Sequence, residues 1–383
     1  MSETTDLLVF WAVVLARFLI PLTIPRYPLP GVLVALVLDA IDQTIFQQFT
    51  NLNLEGYQGY DKALDIYYLT ITYISTLRNW TNLFAFQVSR FLWYYRLFGV
   101  TLFELTYEPP GIRWLLLIFP NTFEYFFIFY EIVRLRWDPV RLTKRATIIA
   151  AAAIWIFIKL PQEWWIHIAQ MDMTDFLKEQ VFGVPTDAGL GEILQANPWV
   201  IPAIIILVVL IILGVRWLLR KLPPADWSLS FDADSHLDEE TGFEETGTIK
   251  PPSGRFFNSA LIEKIVLVAM VSVIFAQILP DMRATNLQVA VGVAFVIILN
   301  TVISHWLARR GTDLGASILQ FVVMTAVNFG LVLVYAFLLP NFEGSINLGN
   351  TLFFVLLLTL IVTLFDRYHL VYQRRFAVSA ASD

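Results

Sequence analysis

Cysteine is absent from this chain. That excludes disulfides, thiolate metal sites and a cysteine nucleophile. Charge is scarce: 15% of the 383 residues are Asp, Glu, Lys or Arg, against about 25% in ordinary soluble domains. There is no basic excess either, the formal net charge being −6, so the composition excludes nucleic acid as a partner. The N-terminal MSETTD carries no positive n-region, so the first apolar run is expected to stay as a span and not to leave as a signal peptide. G-x-S-x-G, H-E-x-x-H and P-loop motifs do not occur, which removes the best-known hydrolytic and nucleotide chemistries. No internal repeat is visible.

What the chain has is long apolar runs. Hydrophobic residues make up 57% and the mean hydropathy is +0.64. A helix needs about 20 mostly apolar residues to cross a bilayer. By that measure eleven spans are expected, near 7–24, 29–50, 61–78, 81–106, 113–134, 145–161, 198–219, 260–279, 287–307, 315–339 and 348–369. The predicted fold class is an all-α polytopic membrane protein of about eleven transmembrane helices. The sixth span runs on into LPQEWWIHIAQ, which reads as an interfacial continuation. Basic residues cluster in 134–145, 216–221, 308–311 and 366–375, while 51–60, 170–197 and 340–347 are acidic or neutral. The positive-inside rule then places the N-terminus outside and the C-terminus in the cytoplasm. The expected location is the plasma (inner) membrane, with Trp164, Trp165 and Trp199 in the outer aromatic belt.

The chain divides unevenly. Residues 1–180 read as a charged, aromatic-rich six-helix membrane domain, and 181–221 as an external loop with span seven. Residues 222–258 are polar and acidic with flanking Pro pairs, and read as a flexible cytoplasmic linker. Residues 259–383 read as an apolar four-helix domain, suited to packing on other membrane subunits. Within the linker DADSHLDEE resembles a calcium loop, but the positions that want Gly and Glu hold Leu237 and Phe243. A solvated acidic tract is the better reading.

The chemistry is expected in the first six spans. They hold Arg17, Asp39, Asp42, Asp61, Lys62, Asp65, Arg90, Arg96, Glu104, Glu124 and Glu131. In LVLDAIDQTIFQ, Asp39 and Asp42 are i and i+3 and share a helical face. Intramembrane carboxylates are costly and turn toward the bundle interior. Counted from each cytoplasmic end at about 1.5 Å per residue, Asp39, Arg90 and Glu124 lie roughly 15 Å deep, and Asp42, Asp65 and Arg96 roughly 20 Å. Four acids facing two arginines leave a surplus that only protons, a metal ion or a cationic substrate can neutralise. The expected binding set is therefore Asp39, Asp42, Asp65 and Glu124 with Arg90 and Arg96, entered past Asp61 and Glu104. The alternative is an ion-pair network that only orients helices. Of the four histidines, His236, His305 and His369 lie in the linker or near span ends. His167 falls four residues after Glu163, a spacing that can supply two metal ligands, though an interfacial hydrogen-bonded pair is the commoner outcome. Runs such as FLWYYRLF and FEYFFIFYE read as packing.

The order Asp39-x2-Asp42, Gly56, Asp61-x3-Asp65 resembles the CDP-alcohol phosphotransferase family, which carries paired aspartates on consecutive membrane helices with a Gly between. That resemblance implies a divalent metal held by Asp39, Asp42 and Asp61, with Asp65 as the base that activates an acceptor alcohol. It covers residues 39–65 only. Gln43, Phe46 and Gln47 stand where the family has a Gly and an Ala-Arg pair, and the positive-inside count puts Asp61 on the side away from a cytoplasmic CDP-linked substrate. The leading expectation is thus a transporter or channel-like protein, and not an enzyme, whose intramembrane carboxylates take a monovalent or divalent cation or a proton-coupled cationic substrate. A metal-dependent enzyme on a lipid-linked substrate comes second, and a non-catalytic subunit of a larger membrane complex third.

Overall fold

The computed structural model of the chain describes residues 3–50, 57–106, 112–171, 173–186, 188–235, 259–278, 292, 295–303, 314–338 and 348–382. Among them every regular element is helical. The first helices are α1 (Glu3–Leu19), α2 (Pro28–Phe49), α3 (Tyr57–Asn79), α4 (Leu83–Leu105), α5 (Trp114–Ile118) and α6 (Thr122–Arg134). Next come α7 (Lys144–Ile168) and α8 (Val200–Lys221), then α9 (Ser259–Ile278), α10 (Leu314–Leu338) and α11 (Leu348–Ser382). Six stretches are long and apolar enough to cross a membrane: Thr4–Thr23, Pro28–Phe46, Trp114–Arg134, Lys144–Ile168, Val200–Lys221 and Thr351–Gln373. Span nine, expected over 287–307, is described only at 292 and 295–303, which are helical.

Local chemistry accounts for the helix boundaries. Pro28 opens α2, where its missing N–H costs nothing. The Asn82 side chain caps α4 by accepting from Ala85 N at 3.0 Å, and Thr143 caps α7 by accepting from Ala146 N at 3.2 Å. At the far end of α7, Gln170 takes φ of 51°, the left-handed turn that closes many helices. Pro161 lies inside α7, where it offers no N–H and crowds the carbonyl four residues back. The helix widens to π geometry on both sides of it, over Ile154–Lys159 and Trp164–Ile168. The stretch that read as an interfacial continuation of span six carries the same helix on to Ile168.

The centre of the bundle is α3. It touches α1, α2, α4 and α6, and from the other half of the chain α9 and α11. Its run from Ile66 to Trp80 is buried at every position. That explains how a helix with Thr70, Thr72, Ser75 and Thr76 sits in an apolar core. Each hydroxyl donates to a carbonyl of its own helix, at 2.5 to 2.8 Å, and the small side chains let neighbours approach. Because protein and not lipid surrounds α3, it does not need the hydropathy of the outer spans. The aromatic runs fill this core: Trp80 stacks on Tyr130 at 3.7 Å, and Trp93 meets Phe123 at 5.4 Å. A single hydrophobic cluster runs from Ile24 to Tyr368, so α9 and α11 share their core with residues of the first half between Ile24 and Ile154.

The opposite case is α8. No residue of 201–221 is buried, although the stretch is nearly all Ile, Leu and Val. A helix that is apolar all round and bare all round is at home in hydrocarbon, not in water.

The first part of the segment expected as a linker lies against the bundle. Asp232 pairs with Arg26 at 3.2 Å, Asp234 with Arg78 and Asp226 with Arg141. Trp227 Nε1 donates to Arg134 O at 3.0 Å, and Ala233 N to Arg26 O at 2.8 Å. Its acids meet the arginines gathered at this end, and its backbone closes the bonds left open by the α1–α2 turn. Residues 236–258, with Leu237 and Phe243, lie outside the described residues.

Candidate functional site

Arg17 sits in the last turn of α1, in an otherwise apolar helix, with its side chain 4% exposed. Insertion scales put the cost of an Arg at a span centre at about 2.5–3.5 kcal/mol unless it finds partners. Here it finds four. Asp39 and Asp42 come from one face of α2, and Asp61 and Asp65 from one face of α3 at i, i+4. Arg17 Nη1 donates to Asp42 and Asp61, and Nη2 to Asp39 and to Asp65 at 2.5 Å. The planar guanidinium fork suits this: two nitrogens, each facing two carboxylates. Val13, Val14 and Phe46 form an apolar layer next to it.

The cluster has a dry floor and an open rim. Arg17 and Asp42 are buried, whereas the side chains of Asp39, Asp61 and Asp65 are 29%, 40% and 39% exposed. One carboxylate oxygen from each of those three lies within 4.8 Å of the others, the spacing of ligands around a metal ion. No other such group of three occurs among the described residues. With all groups ionised, four carboxylates facing one guanidinium leave a surplus of three negative charges. Oxygen-only ligands of this kind suit hard cations.

The remaining predicted site residues lie elsewhere. Arg90 pairs with Glu263 of α9 at 2.9 Å, and Glu263 also accepts from the Tyr73 hydroxyl. Arg96 donates to Phe119 O at 2.9 Å and lies 3.9 Å from Glu163. Neither arginine touches the aspartates, so the expected role of Arg90 and Arg96 falls to Arg17. Glu104 is buried and takes the Lys62 ammonium at 3.1 Å, while Asp61, expected beside it at an entrance, belongs to the Arg17 cluster. Glu124 lies apart, accepting from Asn121 Nδ2 at 2.9 Å, yet near enough to feel the charges of Lys159, Asp39 and Glu163. Glu163 and His167 contact each other at 3.0 Å, the second Glu163 oxygen accepting from Asn121 N at 3.0 Å.

Sequence reasoning counted Arg17 among the charges of the first six spans but gave it no role, although a lone Arg in an apolar run is a loud signal: it must be paired. It also passed over Glu263, Lys264 and Asp366 in the half read as plain. Lys264 pairs with Asp366 at 2.7 Å across α9 and α11. In the same half, Asn300 and Asn328 bond to each other at 2.8 Å and on to Thr359 at 2.9 Å. No protein-family model, curated protein or solved structure matches this chain.

Proposed function

We propose that the chain is a multi-pass transporter whose binding site for a hard cation is built by Asp39, Asp42, Asp61 and Asp65 around Arg17. The observation that carries this reading is the convergence of four aspartates from α2 and α3 on one buried arginine, with three of them open at a rim. A surplus of negative charge inside a membrane bundle is hard to keep without a cation to offset it. In this reading Arg17 holds the carboxylates in place and limits how much positive charge they accept. Eleven spans with the N-terminus outside put the rim toward the exterior. Two features support that orientation. Arg26, Arg78, Arg134 and Arg141 share the end where the 223–235 segment docks. Asp65 lies thirteen residues before Arg78, about 20 Å along α3 from that end. The bilayer is the partner, in the plasma (inner) membrane.

A second reading is a metal-dependent enzyme acting on a lipid-linked substrate. The observation that favours it is that the four aspartates of the phosphotransferase-like spacing are the four that meet at Arg17. In that case Asp39, Asp42 and Asp61 hold the metal and Asp65 takes the proton.

The test is a titration of purified protein in detergent with Mg²⁺, Mn²⁺ and Ca²⁺, reading thermal unfolding, together with uptake of the stabilising ion into proteoliposomes. A ligand at a hundred times its Kd stabilises by about 2.7 kcal/mol. Stabilisation lost in Asp42→Asn, with uptake lost alongside, supports the transporter. Stabilisation without uptake favours the enzyme. If no divalent ion stabilises the wild type, the cluster is a structural ion-pair network.

A further inference from the structure

Residues 223–232 form no regular element, yet the segment 223–235 is fastened to the bundle along its length. Trp137 Nε1 donates to Pro223 O at 3.0 Å, and Asp226 N to Arg136 O at 2.8 Å. Asp226 Oδ2 accepts from Asp138 N at 2.9 Å, and the same carboxylate pairs with Arg141. Farther on, Asp232 holds Arg26, Asp234 holds Arg78, and Arg134 Nη2 donates to Ala233 O at 3.2 Å. The segment is thus a strap across the α1–α2 turn, the end of α3 and the connection from α6 to α7. Its fastening is polar: Ala233 is its one buried residue, while Leu229 and Phe231 are exposed.

The face under the strap is basic and lies where α8 leaves the hydrocarbon. That helix is bare and apolar down to its last turn, ends at Lys221, and the strap starts two residues later. Trp137, Trp217 and Trp227 lie at this end, as aromatic residues do at a membrane surface. Even with the strap in place Arg26 is 62% and Arg141 55% exposed. Arg136, Lys144 and Arg145 are exposed too and form no ion pair among the described residues. Exposed pairs of this kind are weak and yield to competing ions. The strap does not simply lift off, however. Without it Arg26, Arg78 and Arg141 each lose a carboxylate, and the buried Arg134 loses a carbonyl. Whatever takes its place must be anionic and rich in oxygen acceptors. Arginine forks hold phosphate oxygens as well as carboxylates, and anionic headgroups are concentrated at this depth.

We propose that this end of the bundle is a docking surface for anionic phospholipid headgroups, and that the acidic strap 223–235 occupies it until they displace it. Lipid phosphodiesters are received by Arg26, Arg78 and Arg141 in place of Asp232, Asp234 and Asp226. Arg136, Lys144 and Arg145 draw the headgroups in, because the strap leaves their charge uncompensated. Displacement unties the α1–α2 turn from the connection between α6 and α7, which the strap joins through Arg26 and Arg141. The surface is separate from the aspartate cluster and does not rest on the transport reading.

The experiment places the full chain in nanodiscs of phosphatidylcholine alone, or with phosphatidylglycerol as a third of the lipid, at constant ionic strength. Amide hydrogen exchange is read over 223–235, where Asp226 N and Ala233 N are bonded to the bundle, with 66–79 of α3 as internal reference. The expected result is exchange at least tenfold faster over 223–235 with phosphatidylglycerol, and no change over 66–79. Equal exchange in the two bilayers overturns the proposal and makes the strap a fixed part of the fold. The same acceleration by inorganic phosphate in phosphatidylcholine also overturns it, by assigning the face to a soluble anion. Competition must run in both directions. Asp226→Asn, Asp232→Asn and Asp234→Asn together remove the competitor. In detergent micelles doped with phosphatidylglycerol, the thermal unfolding midpoint of this triple variant should respond at a lipid fraction at least tenfold lower than in the wild type. Adding Arg26→Gln and Arg141→Gln should reverse that gain. A triple variant that responds no earlier than the wild type overturns the proposal, as does a gain that survives loss of the two arginines. Should the triple variant not fold, the exchange measurement on the wild type decides.

Discussion

Replacing Arg17 with Leu tests the core of the argument. The substitution keeps bulk in an apolar helix and removes the guanidinium that bonds Asp39, Asp42, Asp61 and Asp65. Breaking a buried ion pair by deleting one partner costs about 3–5 kcal/mol. Only Asp42 merits that full figure, since its side chain is 3% exposed. The other three are 29–40% exposed, and solvent screening leaves them roughly 0–1 kcal/mol each. The expected loss in metal-free buffer is therefore about 3–8 kcal/mol, read as unfolding free energy in a denaturing-detergent titration. Divalent ions should restore part of it. A unit charge about 5 Å from another, at an effective dielectric of about 20, is worth about 3 kcal/mol. Removing that repulsion should tighten Mn²⁺ binding at least about tenfold over wild type, even after screening, which is about 1.4 kcal/mol. Arg17→Lys should fall between the two, because a point charge cannot fork to four carboxylates. If Arg17→Leu matches the wild type within about 1 kcal/mol without metal, the cluster does not hold the helices as argued. If Mn²⁺ stabilises neither protein, the surplus charge is not open to a cation.

Further expectations concern the neighbouring layers. Gly99→Ala should destabilise by about 1–3 kcal/mol through overpacking against Phe119, measured by the same titration, and a neutral outcome would show that α4 moves freely where α5 gives way to α6. Trp80→Phe removes the 2.7 Å bond from Nε1 to Glu131 Oε1 and should cost about 1–3 kcal/mol, because a buried carboxylate oxygen loses a donor. Asp226→Asn alone should change stability by less than about 1 kcal/mol, its partner Arg141 being 55% exposed. Combined with Trp227→Ala, which also removes the bond to Arg134 O, it should speed protease cleavage within 223–235, and unchanged cleavage would show that the segment is held by its other contacts.

The helices were legible because their signal is local. An apolar run of about 20 residues is sufficient to mark a span, and α1, α2 and α8 follow the runs closely, while α11 runs on past its apolar stretch to Ser382. The exceptions come from packing. Nothing in the sequence of α3 says that six other helices surround it, so its threonines do not announce the centre of the bundle. Pro120 and Pro161 look alike in sequence, yet one ends a helix and the other is absorbed by π turns. What separates them is support from outside. Arg96, Tyr95 and Glu163 take the groups freed at Pro120, and they come from α4 and α7.

The candidate site shows the same limit in electrostatic form. Asp39, Asp42 and Asp65 were expected together by depth, whereas Asp61, expected at an entrance with Glu104, joined them in the sequence only through the phosphotransferase-like spacing. Their cation was not readable by depth. Arg90 and Arg96 lie at similar depth along α4, but a helix has sides as well as height, and theirs turn toward Glu263 and Phe119. Depth restricts partners to a layer; only the rotation of each helix chooses among them. A stricter accounting would have found Arg17. It is the sole basic residue between Glu3 and Leu19, so nothing else on α1 can share its cost, and α1 must bury it against acid. The only acids on the two helices that follow directly, within reach of a hairpin, are the four aspartates. Charge that a helix cannot balance by itself therefore locates a site more sharply than charge counted across the whole membrane.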